Sequence, residues 1–246
     1  MTIKNKIYPG IAEMADAAAI FLIKLVDHLR SDDYITIALS GGTTPVYIFN
    51  HIVVNYADKI AWNKIKVFWG DERCVPPESE DSNFGMASKN LLEKIPIPAE
   101  NIYRIYGENY PGFEAKRYSG VISEYVKPEN GLPKFDLIML GLGEDGHTAS
   151  IFPEQIDLFK SSDICMPVMQ PGTNQNRITI TGGVINNAAN VALFATGKSK
   201  AAIVAKMMNE GNQKYPAAMV KPVSGNLYRL FDQDAASLLP SDSQIK

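Results

Sequence analysis

The sequence predicts an α/β fold: a single doubly wound domain over residues 1–246, with a mostly parallel sheet and helices on both faces. Three observations predict it. Apolar runs of strand length at residues 34–39, 65–69 and 135–140 alternate with stretches whose apolar residues recur at helical spacing, the pattern of βα units. Each of those runs breaks into a polar, glycine-bearing loop, as happens where buried parallel strands deliver chemistry at their carboxyl ends. No low-complexity stretch, charge block or Gly/Ser linker divides the chain.

In order along the chain, Ile11, Met14, Ala15, Ala18, Phe21, Leu22, Leu25, Val26 and Leu29 repeat at helical spacing and predict an amphipathic opening helix. His28 beside that stripe, and His51 on the following helix, are expected to be surface residues rather than ligands. A strand at 34–39 leads to a helix at 45–55, whose Pro45 suits a first helical position, and then to a strand at 65–69. A helix near 83–93, a short strand at 102–105, a helix at 113–126 and the strand at 135–140 follow. Later strands are expected at 164–168, 177–180, 191–195 and 227–231, with a helix at 199–209 among them, and residues 241–246 are expected to fray. In a sheet of this kind the loops after residues 39, 69 and 140 should meet in one crevice.

Hydrophobic residues make up 46% of the chain, enough for a substantial core, while 21% charged residues and a net charge of -3 provide no basic field for nucleic acid. No secretory apolar segment opens the chain, and no apolar run reaches the roughly 20 residues that cross a bilayer, so a cytoplasmic location without a membrane partner is expected. Cys74 and Cys165 are too few for a disulfide framework. With three scattered histidines no metal motif assembles, so two reduced thiols and no metal are expected.

The first loop, Ser-Gly-Gly-Thr-Thr-Pro at 40–45, passes from strand to helix. Gly41, Gly42, Thr43 and Thr44 there offer backbone amides, hydroxyls and a helix dipole to an anion. No Lys-Ser/Thr pair follows a G-x-x-x-x-G, so a phosphorylated metabolite fits better than ATP. The same stretch nearly matches a nucleophile elbow around Ser40, but Ala38 replaces its first glycine and no histidine follows in the last third of the chain. The second loop carries Asp71, Glu72 and Arg73. Arg73 suits phosphate binding or a developing oxyanion, and Asp71 the orienting of a base or a sugar hydroxyl, against the simpler reading of a structural ion pair among the three.

The third loop, Gly141 to Gly146, matches G-x-G-x-x-G, yet Glu144 and Asp145 would confront a pyrophosphate. No acid closes a strand about 20 positions on, so a nicotinamide cofactor is not expected. His147, just beyond, is the first candidate catalyst, because imidazole exchanges a proton near neutral pH. Arg177 and Lys200, taken alone, are generic cations.

Together, Ser40 to Pro45, Trp-Gly-Asp-Glu-Arg at 69–73 with Val-Pro-Pro at 75–77 and Asp-Ser-Asn at 81–83, and Gly-Leu-Gly-Glu-Asp-Gly-His-Thr-Ala-Ser-Ile-Phe-Pro at 141–153 resemble the glucosamine-6-phosphate isomerase/6-phosphogluconolactonase family, on its lactonase side. The likeness extends to Arg-Ile-Thr-Ile at 177–180 and Thr-Gly-Lys-Ser-Lys at 196–200. It implies a sheet related to that of glucosamine-6-phosphate deaminase. It further implies a hydrolase of the oxidative pentose phosphate pathway, without metal or other cofactor, acting on a small phosphosugar lactone. His147 would be the base, with Asp145, Asp71 and Arg73 about the reacting centre, and Arg177 and Lys200 would join residues 41–44 on the phosphate. Deaminases of the family carry a glutamate five residues after the histidine, where Phe152 stands here. A deaminase and a non-catalytic sugar-phosphate sensor are the alternative readings.

Overall fold

The computed structural model describes residues 2–29, 33–209 and 213–240. In chain order the elements are β1 (Thr2–Tyr8), α1 (Ile11–Asp27), β2 (Ile35–Leu39), α2 (Thr43–Tyr56), β3 (Ile65–Trp69), β4 (Asp71–Arg73), α3 (Asn83–Asn90), α4 (Pro111–Tyr125) and the short pair β5 (Pro128–Glu129) and β6 (Leu132–Pro133). Then come β7 (Leu137–Gly141), β8 (Cys165–Met169), β9 (Asn176–Ile180), α5 (Gly182–Asn187), β10 (Asn190–Ala195), α6 (Ala201–Met208) and β11 (Asn226–Asp232).

Six strands form one parallel sheet in the order β1-β11-β10-β7-β2-β3. All residues of β2 are buried, as are those of β7 apart from Gly141 and those of β10 apart from Asn190, so both faces of the sheet centre are covered. That is why these runs, apart from Thr36 and Asn190, are apolar instead of alternating. Each fully buried aromatic or aliphatic side chain here, such as Phe68, Phe135 or Ile138, stabilises the fold by about 1.5–3 kcal/mol. Buried Tyr118 ties α4 to the end of β3: its hydroxyl oxygen accepts from the Trp69 amide at 2.8 Å.

Several expectations need correction. Residues 102–105 form no strand; Ile102 makes a single bridge to Val67. The expected strands at 164–168 and 177–180 exist, but they lie outside the parallel sheet, in an antiparallel sheet of order β4-β9-β8. β1 was not anticipated at all, and α3 ends at Asn90, followed by a single 3-10 turn at Leu92–Lys94. Residues 241–246, expected to fray, lie outside the described residues.

Gly70 joins the two sheets, donating to the Leu39 carbonyl and accepting from the Ile180 amide, both at 2.9 Å. His28 bonds the Lys24 carbonyl at the end of α1, and His51 bonds Asp16 at 2.6 Å, fastening α2 to α1. Cys165 is buried, which pushes its thiol up to about 12. Among the described residues, no helix is long and apolar enough to cross a membrane.

Candidate active site

Strand register decides where the loops emerge. Leu39 pairs with Trp69, Ala38 with Ile138, and Phe194 with Gly141, so β2, β3, β7 and β10 end on one rim of the sheet. Side-chain contacts then join these loops. Thr44 Oγ1 lies 2.7 Å from Thr196 Oγ1, joining the loop after β2 to that after β10. Asn83 Nδ2 donates to the Asp71 carbonyl at 2.9 Å, and Ser150 Oγ donates to Asp71 Oδ2 at 2.6 Å, joining the loops after β3 and β7.

The loop at residues 40–44 enters α2 through Gly42, and no side chain caps the helix. Its first turn carries no acid. The leading amides and the positive end of the dipole are therefore available to an anion. Gly41 is required by packing: a Cβ there would lie 1.8 Å from Asn83 Oδ1, and Asn83 is buried and held by Asp71. Gly41→Ala is expected to cost about 1–3 kcal/mol through overpacking and to weaken competitive inhibition by inorganic phosphate, both read by thermal melting and inhibition kinetics. Ser40 is buried and its hydroxyl donates to the Gly41 carbonyl. No histidine bonds it among the described residues, which leaves the nucleophile elbow without a base.

Beyond β7 the chain makes a tight loop in which Gly143 accepts from Gly146 and donates to the His147 carbonyl. No helix follows at once; Thr148 bridges Ile151, with Ala149 in the left-handed region. A dinucleotide fingerprint needs a helix start here, so that reading fails on geometry as well as charge. A Cβ on Gly143 would fall 2.1 Å from His147 Nδ1, so only glycine admits the imidazole. His147 Nδ1 lies 2.6 Å from Asp145 Oδ1, and the same oxygen accepts from the His147 amide at 3.0 Å. A carboxylate only accepts, so Nδ1 carries the proton and Nε2 presents its lone pair. Burial pushes the Asp145 carboxyl up, but the bonds from His147 outweigh it and hold the group below its usual value, so it remains charged at neutral pH.

Asp71, Glu72 and Arg73 do not form the local ion pair that their adjacency predicts. They form β4 and point to separate tasks. Asp71 is buried with Ser150, Asn83 and Arg177, whose Nη1 is 3.9 Å from Oδ2. Glu72, 2% exposed, accepts from the amides of Asn83 and Phe84 at 2.7 Å and from Ser82 Oγ at 3.1 Å, completing the capped start of α3. Burial raises its carboxyl above the usual value, and those amides pull it back. Glu72→Gln would turn an amide NH2 toward these donors and is expected to cost about 2–4 kcal/mol, seen as a lower Tm.

Arg73 pairs in antiparallel register with Arg177. Like charges directly opposite across strands destabilise a sheet, so this pair calls for an anion. Arg73 donates to the Asp81 carbonyl and Arg177 to Ser150 Oγ and Gln170 Oε1, yet the Nε of each guanidinium has no hydrogen-bond partner among the described residues. Burial pulls the Arg177 guanidinium below its usual value, Asp71 opposing and Arg73 adding to the fall. The Phe152 ring sits 4.7 Å from the His147 ring and 5.5 Å from the Arg177 guanidinium, bridging the imidazole to the cations. Lys200 is half-buried in the turn after β10, beyond Thr196, and among the described residues makes no hydrogen bond or ion pair with the other site residues. Among the described residues no three His, Cys, Asp or Glu side chains gather as a metal set.

Asn83, Ser150 and Gln170 were not singled out by residue chemistry. Asn83 and Ser150 lie inside conspicuous motifs, which was the only available signal; Gln170 reaches the site through the β8–β9 pairing and had none.

Fold and site define an α/β protein whose sheet rim carries an uncapped helix start, two facing arginines and a histidine bonded to an aspartate. A sequence profile described as glucosamine-6-phosphate isomerases/6-phosphogluconolactonase matches residues 11–229, and the chain belongs to that family. A 6-phosphogluconolactonase of Treponema pallidum is 38% identical over 207 residues, 84% of this chain and 86% of that protein. A crystal structure described as devB protein superposes with a TM-score of 0.92 at 36% identity, over 97% of this chain and all of the other. A monomeric glucosamine-6-phosphate deaminase shares the fold, with a TM-score of 0.80 at 20% identity over 97% of this chain and 100% of its own.

Proposed function

We propose that the crevice hydrolyses 6-phospho-D-glucono-1,5-lactone to 6-phospho-D-gluconate, with His147 as general base. That the chain is a lactone hydrolase of sugar-phosphate metabolism follows from its 6-phosphogluconolactonase relatives. The observation carrying the mechanism is the His147–Asp145 pair, with Nε2 making no hydrogen bond among the described residues, on the rim that also bears the uncapped start of α2. The 6-phosphate binds the amides and hydroxyls of residues 41–44, with Arg177 and Lys200 contributing charge. Phosphate binding at one end holds C1 beside the base, and such positioning is itself catalytic.

His147 Nε2 takes a proton from water while the water oxygen bonds to C1, and the carbonyl electrons move onto its oxygen. Arg73 stabilises that oxyanion. The electrons then return, the C1–O5 bond breaks, and the proton on Nε2 passes to O5. Asp145 keeps the tautomer and stabilises the imidazolium; Asp71 acts by holding Arg177 and Ser150 in place.

No observation favours the deaminase reading, since buried Phe152 occupies the position of its acid. Acid release from freshly made lactone, corrected for spontaneous hydrolysis, is expected to be strongly accelerated, with no ammonia from glucosamine-6-phosphate. Ammonia release, or an uncatalysed rate, would reverse the assignment.

A further inference from the structure

Between the sheet and the helices α1 and α2 runs an apolar cavity of about 280 Å³, lined by none of the candidate site residues. Its floor takes a residue from every strand: Tyr8 on β1, Leu230 on β11, Phe194 on β10, Met139 on β7, Leu39 on β2 and Val67 on β3. Strands lie about 4.8 Å apart, so these six lining residues span roughly 24 Å across the sheet, and the cavity beneath them is a narrow slot. Its roof includes Ala18 and Phe21 of α1 and Ile48 of α2. Protein interiors hold few voids larger than a water molecule, which makes a slot of this size an exception within an otherwise close-packed core.

The slot has a closed end and an open one. Ile48 and Ile65 are wholly buried, whereas Ile20, which lines it on the β1 side, is 42% exposed. At that open end stand Lys6 and Lys24, with the rings of Tyr8 and Tyr228. Lys4 adds a third ammonium 5.4 Å from the Tyr228 ring. Among the described residues no carboxylate forms an ion pair with Lys6 or Lys24. Burial raises both tyrosine hydroxyls above their usual value, so they remain donors at neutral pH. An apolar enclosure with a few convergent polar groups at one end is the general form of a small-molecule site.

We infer that this slot binds one unbranched aliphatic chain bearing an anionic head, a free fatty acid, with the chain beneath α1 and α2 and the carboxylate at Lys6 and Lys24. The length and narrowness select a single chain over a fused ring or a two-chain lipid. The unpaired ammonium groups select an anion.

The test uses the whole protein and dodecanoate below its micellar concentration, followed by calorimetric titration and thermal melting. Saturable uptake of one equivalent with a raised Tm is expected, since a ligand that binds only the folded state stabilises it. The double variant Lys6→Glu/Lys24→Glu alters only the mouth. It is expected to bind about tenfold more weakly, the scale of two solvent-exposed ion pairs, and to hydrolyse lactone normally. Ala18→Phe, which fills the slot, should abolish uptake; if that variant fails to fold, the charge reversal alone decides. Absence of saturable binding, uptake of several equivalents, or affinity indifferent to the charge reversal would overturn the inference.

Discussion

Replacing His147 by alanine is expected to lower kcat about 100- to 10,000-fold, the usual worth of a positioned general base, while KM changes little. The split follows from the two-ended site. In the proposed site the phosphate end, on residues 41–44 and the cations, does not depend on the imidazole, so substrate should still bind while the proton transfers are lost. His147 is half-buried and, among the described residues, its side chain hydrogen-bonds only to Asp145, so Tm should stay near that of the parent. Asp145→Asn tests the partner: the amide can turn an NH2 toward Nδ1 and favour the wrong tautomer, so a fall in kcat at constant KM is expected there too. Near-normal turnover in the alanine variant would remove His147 from the chemistry.

Arg177→Ala is expected to raise KM markedly and to lower stability at the same time. Arg177 is 7% exposed and lies amid Asp71, Ser150, Gln170 and the Phe152 ring. Removing it leaves the Asp71 carboxylate buried without a cation. Breaking a buried pair costs about 3–5 kcal/mol, and the 3.9 Å separation places this case near the lower bound. For a protein of this size about 3 kcal/mol corresponds to a Tm lower by roughly 6–12 °C. Arg177→Lys separates the two effects. The restored charge should recover part of the Tm, but an ammonium lacks the planar fork, so KM stays high. An unchanged KM in both variants would exclude Arg177 from substrate binding.

The parts of the fold legible in the sequence are those whose burial is locally encoded. β2, β3 and β7 are largely apolar runs, interrupted only by Thr36 and Lys66 and ending in glycine loops, and each is legible to within two residues or so, because strands covered on both faces are mostly apolar. β1 is the converse. Its Thr-Ile-Lys-Asn-Lys-Ile-Tyr sequence is mostly exposed, and only pairing with β11, at the other end of the chain, makes it a strand. β4 is three charged residues that owe their extended form to β9. The same non-local pairing set Arg73 opposite Arg177, so the relation between two recognised candidates was invisible until the sheet was seen. In the site, residues with conspicuous chemistry, His147 and Asp145, were legible. Asn83 and Ser150, which hold Asp71, and Asn83 again where it packs against Gly41, depend on three-dimensional contact and were not.

The most direct test is a crystal structure with 6-phosphogluconate, the hydrolysis product, bound in the crevice. The phosphate is expected on the amides of residues 42–44 beside Arg177, and the C1 carboxylate within hydrogen-bonding distance of His147 Nε2. A product seated with its phosphate elsewhere, or with C1 out of reach of that nitrogen, would contradict the two-ended site and the role of His147 together.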